Sequence, residues 1–230
     1  MARDVYYDFH MHTILSDGAL SAVELIRRCA VNGCAGMVIA DHSGPGTLAR
    51  FINENGADCA LAREFWDIEA FAGVELTHVP APSIATLARR ARELGAALVV
   101  VHGESPVEPV EPGTNLAAAS CPDVDILAHP GLLTAEEARA ARDNGVFIEI
   151  SARKGHDMAN GHVVRVALDN GARLVVDSDG HTPDNILTPA WAEHVARCAG
   201  VPDSMMEAVL VEGPRELLER ARTNSRGDAW

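Results

Sequence analysis

Histidine is the residue type that carries the most chemical information here. Ten occur in 230 residues, and most stand close to a carboxylate. Asp8-Phe9-His10-Met11-His12 is followed by Ser16-Asp17-Gly18. Further on come Asp41-His42, Glu75 with His78, His102 with Glu104, His129-Pro130, and Asp177 and Asp179 with His181. Imidazole and carboxylate together suit Zn, Mn or Fe, and the lack of cysteine among them argues against a structural zinc site. His10 and His12 alternate, so on an extended chain both point the same way and can grip one ion. One ion takes three or four ligands. Nine candidates, His10, His12, Asp17, His42, Glu75, His102, His129, Asp179 and His181, are too many for one ion and suit two or three. A carboxylate shared between ions would hold them ~3.5–4 Å apart.

These residues need elements to bring them together. Short runs rich in Val, Ile and Leu recur near 5–9, 37–41, 69–74, 97–101, 124–128, 146–150 and 173–177. Each precedes a loop and, in most cases, a segment with helical spacing. Strands alternating with helices imply parallel pairing, and near-continuous apolar strands imply cover on both faces. Ser21 with Glu24 and Thr134 with Glu137 read as capping boxes, and Ser204 with Glu207 as a third. Asn32-Gly33, Leu94-Gly95, Asn144-Gly145 and Asn170-Gly171 read as helix ends. Residues 43–66 are expected to hold a loop and a helix broken at Asn55-Gly56. Residues 103–121, with three prolines, read as a long loop with little room for a helix.

Seven βα units could close into a barrel or lie open. Neither GxGxxG nor GxxxxGK[ST] follows a strand, so a nucleotide-binding open sheet loses its main support. A barrel gathers its chemistry at the C-terminal strand ends, which is where the polar residues fall. A single α/β domain is expected, a (β/α)7 TIM-like barrel over residues 1–222, with a flexible tail over 223–230.

Composition narrows the function. Acids outnumber bases 33 to 19 for a net charge of -14, and aromatic residues make up 4%. Such a surface repels phosphate backbones, so no stable nucleic-acid complex is expected. The five cysteines are odd in number without a CxxC pair, and read as free thiols in a reducing compartment. No apolar run has the length of a membrane span, and MARDVYYDFHMH does not look like a signal peptide. A cytoplasmic protein without a membrane partner is expected.

The ordered set D-F-H-M-H-T, S-D-G, D-H, G-V-E, V-H-G, A-H-P and D-x-H resembles the PHP (polymerase and histidinol phosphatase) family from Asp8 to His181. The likeness is strongest to its stand-alone histidinol-phosphatase-like branch. It implies a distorted seven-stranded barrel and metal-dependent hydrolysis of phosphoesters. All nine family ligand positions carry competent residues, with Asp17 where some members have His. The resemblance implies three ion sites. His10, His12, Glu75 and Asp179 would form the first; Glu75, His102 and His129 the second; Asp17, His42 and His181 the third. Asp8 and Asp41 would orient histidines, and Glu104 would support a ligand.

Three divalent ions, three carboxylates and one hydroxide leave about +2 at the site, which a phosphate monoester dianion would neutralise. A hydroxide bridging the ions at Glu75 would attack phosphorus in line. No residue free of a ligand role offers itself as general acid. Arg153 and Lys154, the basic pair at a strand end, would bind the phosphate together with Ser151. His156 and His162 are within plausible reach of a substrate. His78, His194, Glu108 and Glu111 are expected to be structural or solvated, and Ser16 to be a turn residue. The expected substrate is a small phosphate monoester, histidinol phosphate on family grounds. The alternatives are a nucleotide phosphohydrolase or exonuclease, and a non-catalytic scaffold that would be expected to lose ligands.

Overall fold

The computed structural model describes residues 5–225. Strands and helices alternate: β1 (Tyr6–Met11), α1 (Ala22–Val31), β2 (Cys34–Ile39), β3 (His42–Ser43), α2 (Leu48–Phe65), β4 (Glu69–Ala72), β5 (Val74–Leu76), α3 (Ile84–Leu94), β6 (Val99–His102), α4 (Thr114–Ala119), β7 (Ile126–Ala128), α5 (Ala135–Asn144), β8 (Phe147–Ser151), α6 (Asn160–Asp169), β9 (Arg173–Asp177), α7 (Pro189–Cys198) and α8 (Gly213–Asn224). Every ladder is parallel.

The strands form two sheets, β1-β2-β4 and β3-β5-β6-β7-β8-β9. Two of the seven expected runs are therefore each broken in two. The second break falls at Gly73, where a Cβ would lie 2.6 Å from both the Leu98 carbonyl oxygen and a Val38 methyl. Only glycine lets the neighbouring backbone come that close. Among the described residues the ladders do not close into a barrel. Between β1 and β9 the described residues show a single bridge, Met11 to Gly180. Elsewhere along that seam buried carboxylates stand in for a ladder: the Phe9 amide donates to Asp177 (2.7 Å) and the Ser178 amide to Asp8 (3.1 Å).

The period of two separates the faces. On β6, Val99 and Val101 pack under the helices, whereas Val100 joins an inner cluster with Phe9, Phe71, Phe147 and Val175. Leu217, Leu218 and Ala221 of α8 pack into that inner cluster. Apolar side chains thus fill one end of the interior and leave the C-terminal strand ends to polar ones.

Several local expectations change. α2 runs unbroken through Asn55-Gly56. Both residues are buried, and Asn55 Nδ2 donates to Asp41 (2.8 Å), so tertiary contacts override poor helix propensity. The 103–121 segment does hold a helix, α4, whose start is capped by Glu104: its Oε1 accepts from the amides of Gly113 (2.9 Å) and Asn115 (3.1 Å). The Thr134 box is reciprocal, and Ser21 caps α1, but Ser204 lies inside a 3-10 turn and caps nothing. Gly95 and Gly145 end α3 and α5 in the left-handed conformation. α8 continues two residues past the expected boundary, and residues 226–230 of the expected tail lie outside the described residues. No described helix is long and apolar enough to cross a membrane.

Candidate metal centre

All nine candidate side chains meet at the C-terminal ends of the strands. β1 delivers His10, with His12 just beyond its end; β3 starts at His42, β5 carries Glu75 at its centre and β6 ends on His102. His129 follows β7, and Asp179 and His181 follow β9. Two of these residues, His129 (φ 27°) and Asp179 (φ 50°), hold left-handed backbone without being glycine. Such strain costs about 1–3 kcal/mol per residue and tends to gather at functional sites.

The donor atoms fall into overlapping groups, each within 4.8 Å of one another: His10, His12 and Asp179; Glu75, His102 and His129; His12, Asp17, His42 and His181. Glu75 touches all three groups. Its Oε1 is 3.4 Å from His10 Nε2 and 3.8 Å from His129 Nε2, and its Oε2 meets His42 Nδ1. Asp179 lies 3.3 Å from His12 Nε2 and 3.6 Å from His129 Nε2. Asp17 lies 3.5 Å from His42 and 3.1 Å from His181. Burial is graded: His10, His12, Glu75, His102, His129 and Asp179 are at most 3% exposed, while the Asp17 side chain is 51% exposed.

These residues fit a cation. His10 Nε2, both ring nitrogens of His12, Glu75 Oε1 and His129 Nδ1 are buried, and no described group hydrogen-bonds to them. Buried polar atoms rarely go unpaired; here His10 Nε2 faces Glu75 Oε1 and His12 Nε2 faces Asp179. The nitrogen and oxygen donor set suits a divalent transition-metal ion such as zinc or manganese.

The electrostatics are uneven. Burial pushes the Glu75 and Asp179 carboxyls up, but the surrounding imidazoles outweigh it and hold both far below the ordinary range. Burial lowers His12 to about 4 and His129 well below its usual value. It works the same way on His10 and His42, but there Glu75 helps reverse it. With Glu149 it holds His10 well above normal, and with Asp17 it raises His42 to about 10.

The other expected residues divide. Arg153 reaches the cup, donating to Asp179 Oδ1 (3.1 Å) and His181 Nε2 (2.8 Å). Ser151 is buried at its edge, with its hydroxyl accepting from the Arg153 amide (3.3 Å), and Lys154 is exposed. Asp8 and Asp41 bond no imidazole. Asp41 accepts instead from the Thr13 amide and hydroxyl (2.7 Å each), Ser16 and Asn55, and so holds the turn after His12. Asp8 takes backbone amides, and burial lifts its carboxyl to about 7. Glu104 serves α4 rather than an imidazole. His162 bonds the Leu133 carbonyl (2.8 Å).

Two residues that the sequence did not assign to the site, Glu149 and Glu108, also reach it, as does His156, which was expected within reach of a substrate. Glu149 lies 2.6 Å from His10 Nδ1, and a lone glutamate in the apolar run VFIEI was the available signal. His156 is buried and groups with His129 and Asp179. Glu108, expected to be solvated, lies 3.1 Å from His102 Nε2 and 3.7 Å from His156 Nε2.

No family model matches the chain. An uncharacterized protein of Methanocaldococcus jannaschii is 40% identical over 93% of this chain and 99% of its own length. The DNA polymerase/3'-5' exonuclease PolX of Bacillus subtilis is 28% identical over 76% of this chain but only 34% of its own. A probable phosphatase of Thermoanaerobacter is 25% identical over 96% and 97%. Among solved structures, the histidinol phosphate phosphatase of Lactococcus lactis, complexed with zinc, L-histidinol and phosphate, superposes with TM-score 0.61 at 14% identity over 84% of this chain and 92% of that one. A two-domain protein of Bacteroides vulgatus containing a predicted PHP-like metal-dependent phosphoesterase gives 0.51 at 16% identity over 95% and 63%. Sequence relatives and fold neighbours thus agree with the resemblance carried by the histidine motifs, and the chain belongs to the PHP superfamily.

Proposed function

We propose that this protein is a metal-dependent phosphoesterase that hydrolyses a small phosphate monoester, working as one distorted (β/α)7 unit. The observation that carries the reading is the convergence of orphaned, buried imidazole and carboxylate atoms around Glu75. The Lactococcus neighbour, solved with L-histidinol and phosphate, makes histidinol phosphate the first substrate to try.

In this reading His10, His12, Glu75 and Asp179 hold one divalent ion, Glu75, His102 and His129 a second, and Asp17, His42 and His181 a third. When bound, such ions lower the pKa of coordinated water and neutralise charge on the phosphoryl oxygens. The chain's own residues do the rest. Glu75 ties the clusters together, and Thr77 Oγ1 donates to its Oε2 (2.9 Å), which fixes the carboxylate plane. Arg153 swings from Asp179 to the phosphate and orients it by charge-assisted hydrogen bonds. Ser151 holds the Arg153 backbone in place, and Lys154 adds positive charge at the rim.

Phosphate release from histidinol phosphate, nucleoside mono- and bisphosphates and a labelled oligonucleotide, with Zn or Mn supplied, tests the substrate class. Histidinol phosphate should turn over well above the oligonucleotide. Turnover of the oligonucleotide or a nucleotide alone would favour the PolX-like reading, which the 28% identity to PolX keeps in play. That reading wants a basic or aromatic track, to which a net charge of -14 and 4% aromatic residues give little support. Arg153→Ala should raise KM for any phosphate substrate by about tenfold or more, the scale of one charge-assisted hydrogen bond. Metal content should be retained. Loss of metal from that variant would make Arg153 part of the ion site instead.

A further inference from the structure

Each imidazole ligand has two nitrogens, and the partner of the one not given to the ion decides how the ring is held. For His102 that partner is the Gly103 carbonyl (3.0 Å), and for His181 the Asp179 carbonyl (2.9 Å). His42 Nδ1 meets the Thr77 hydroxyl (2.8 Å) and Glu75, itself a member of the candidate set. His12 has no hydrogen-bond partner on either nitrogen among the described residues.

His10 differs. Its Nδ1 lies 2.6 Å from Glu149 Oε2, and both side chains are fully buried. Among the described residues, Glu149 is the one buried carboxylate outside the nine that bonds an imidazole of this set. The alternation along β8 explains its position: Phe147, Glu149 and Ser151 share the inner face, while Ile148 and Ile150 face the helices. A carboxylate accepting from Nδ1–H leaves the lone pair on Nε2, which faces Glu75 Oε1 at 3.4 Å and Asp179 Oδ1 at 3.9 Å. It also raises the electron-donating power of the ring.

We propose that Glu149 is a positioning residue that makes the His10 cluster the anchoring ion site, the first to fill and the last to empty. The proposal rests on the metal-centre reading above. The two ends of the cup differ in the way this requires. His10, His12, Glu75 and Asp179 are almost wholly buried, so their attraction for a cation is little screened. The Asp17 and His42 side chains, at 51% and 23% exposed, face water. The ion held there competes with solvent and leaves first.

The test is stepwise chelation of protein loaded with Zn(II) or Mn(II) alone, read as ions retained per chain by mass spectrometry, for wild type, Glu149→Gln and Glu149→Ala. Wild type should lose its ions in steps. Glu149→Ala should weaken the last equivalent to leave by about 10–100-fold, the usual cost of removing such a partner, with the earlier equivalents unchanged. Glu149→Gln keeps the volume and an acceptor oxygen but not the charge, so its loss should be smaller. Thermal unfolding of each variant checks the fold, and Glu149→Gln decides if the alanine variant does not fold. Wild-type affinity for every equivalent in the folded variants would overturn the proposal. So would weakening confined to the first equivalent to leave. Wild-type protein that binds ions in steps yet releases no phosphate from any substrate would sink the phosphatase reading alone. Wild type that binds no ion would sink both.

Discussion

Glu75→Ala should strip ions from the protein and lower kcat/KM by at least about a thousandfold. Removing a partner outside the ligand shell already costs about 10–100-fold, and Glu75 is in contact with members of all three clusters. Its loss does two things. It removes the carboxylate proposed to be shared between ions, and it leaves His10 and His42 without the negative charge that holds them in register. A collapsed β5 would give the same loss for a trivial reason, because Glu75 is wholly buried between Val74 and Leu76. Glu75→Gln separates the two. It preserves volume and the contact with Thr77, so the fold should survive while ion content still falls. Metal analysis together with thermal unfolding reads both. A folded Glu75→Gln protein with its full complement of ions and wild-type turnover would remove Glu75 from the centre of the site.

The clustering of the nine residues was legible in the sequence because each follows a short apolar run that has to be a parallel strand, and one end of such strands faces one place. Spacing alone put His10 beside His12. What could not be read was anything set by packing across the chain. The family resemblance implied that Asp8 and Asp41 orient histidine rings, but Asp8 Oδ1 takes backbone amides and Asp41 is held by Thr13, Ser16 and Asn55. The residue that does bond His10 comes from β8, 139 residues away, and a lone glutamate in an apolar run does not say which ring it meets. Glu108 was assigned to solvent because a proline-rich loop gives no direction to a side chain. The fold brings that loop over His102 and His156. The barrel is the other case. Seven runs were visible, but two of them break, and the β1–β9 seam has one bridge, at Met11 and Gly180, with Asp8 and Asp177 side chains bonding backbone amides beside it. Hydrophobic patterning counts strands and does not report whether their backbones pair.

Ion binding should be strongly pH-dependent, and the sign follows from two histidines. In the ion-free chain burial disfavours charge on His10 and His42, but nearby carboxylates overcome it. His10 titrates well above its ordinary value and His42 near 10, so both are imidazolium at pH 7. His12, held near 4 by burial, and His129, held well below the usual value, are neutral there and have lone pairs ready. Coordination requires a neutral ring, so loading the His10 and His42 clusters must expel about one proton from each. Acid therefore weakens binding. Between pH 8 and 5 each of these two sites should lose about tenfold in affinity per pH unit, or about a hundredfold for the pair. The dependence at the His42 site should fade as pH rises through about 10, where its ring is already neutral. The dependence at the His10 site should steepen as pH falls towards 4, where His12 begins to take up a proton as well. Zinc titrations by calorimetry in buffers of different ionisation heat count the protons directly. About two released per fully loaded chain at pH 7 is the expected result. Binding that releases none, with an affinity flat from pH 8 to 6, would mean that the carboxylates around His10 and His42 do not hold those protons and that the cup is preset for cations in some other way.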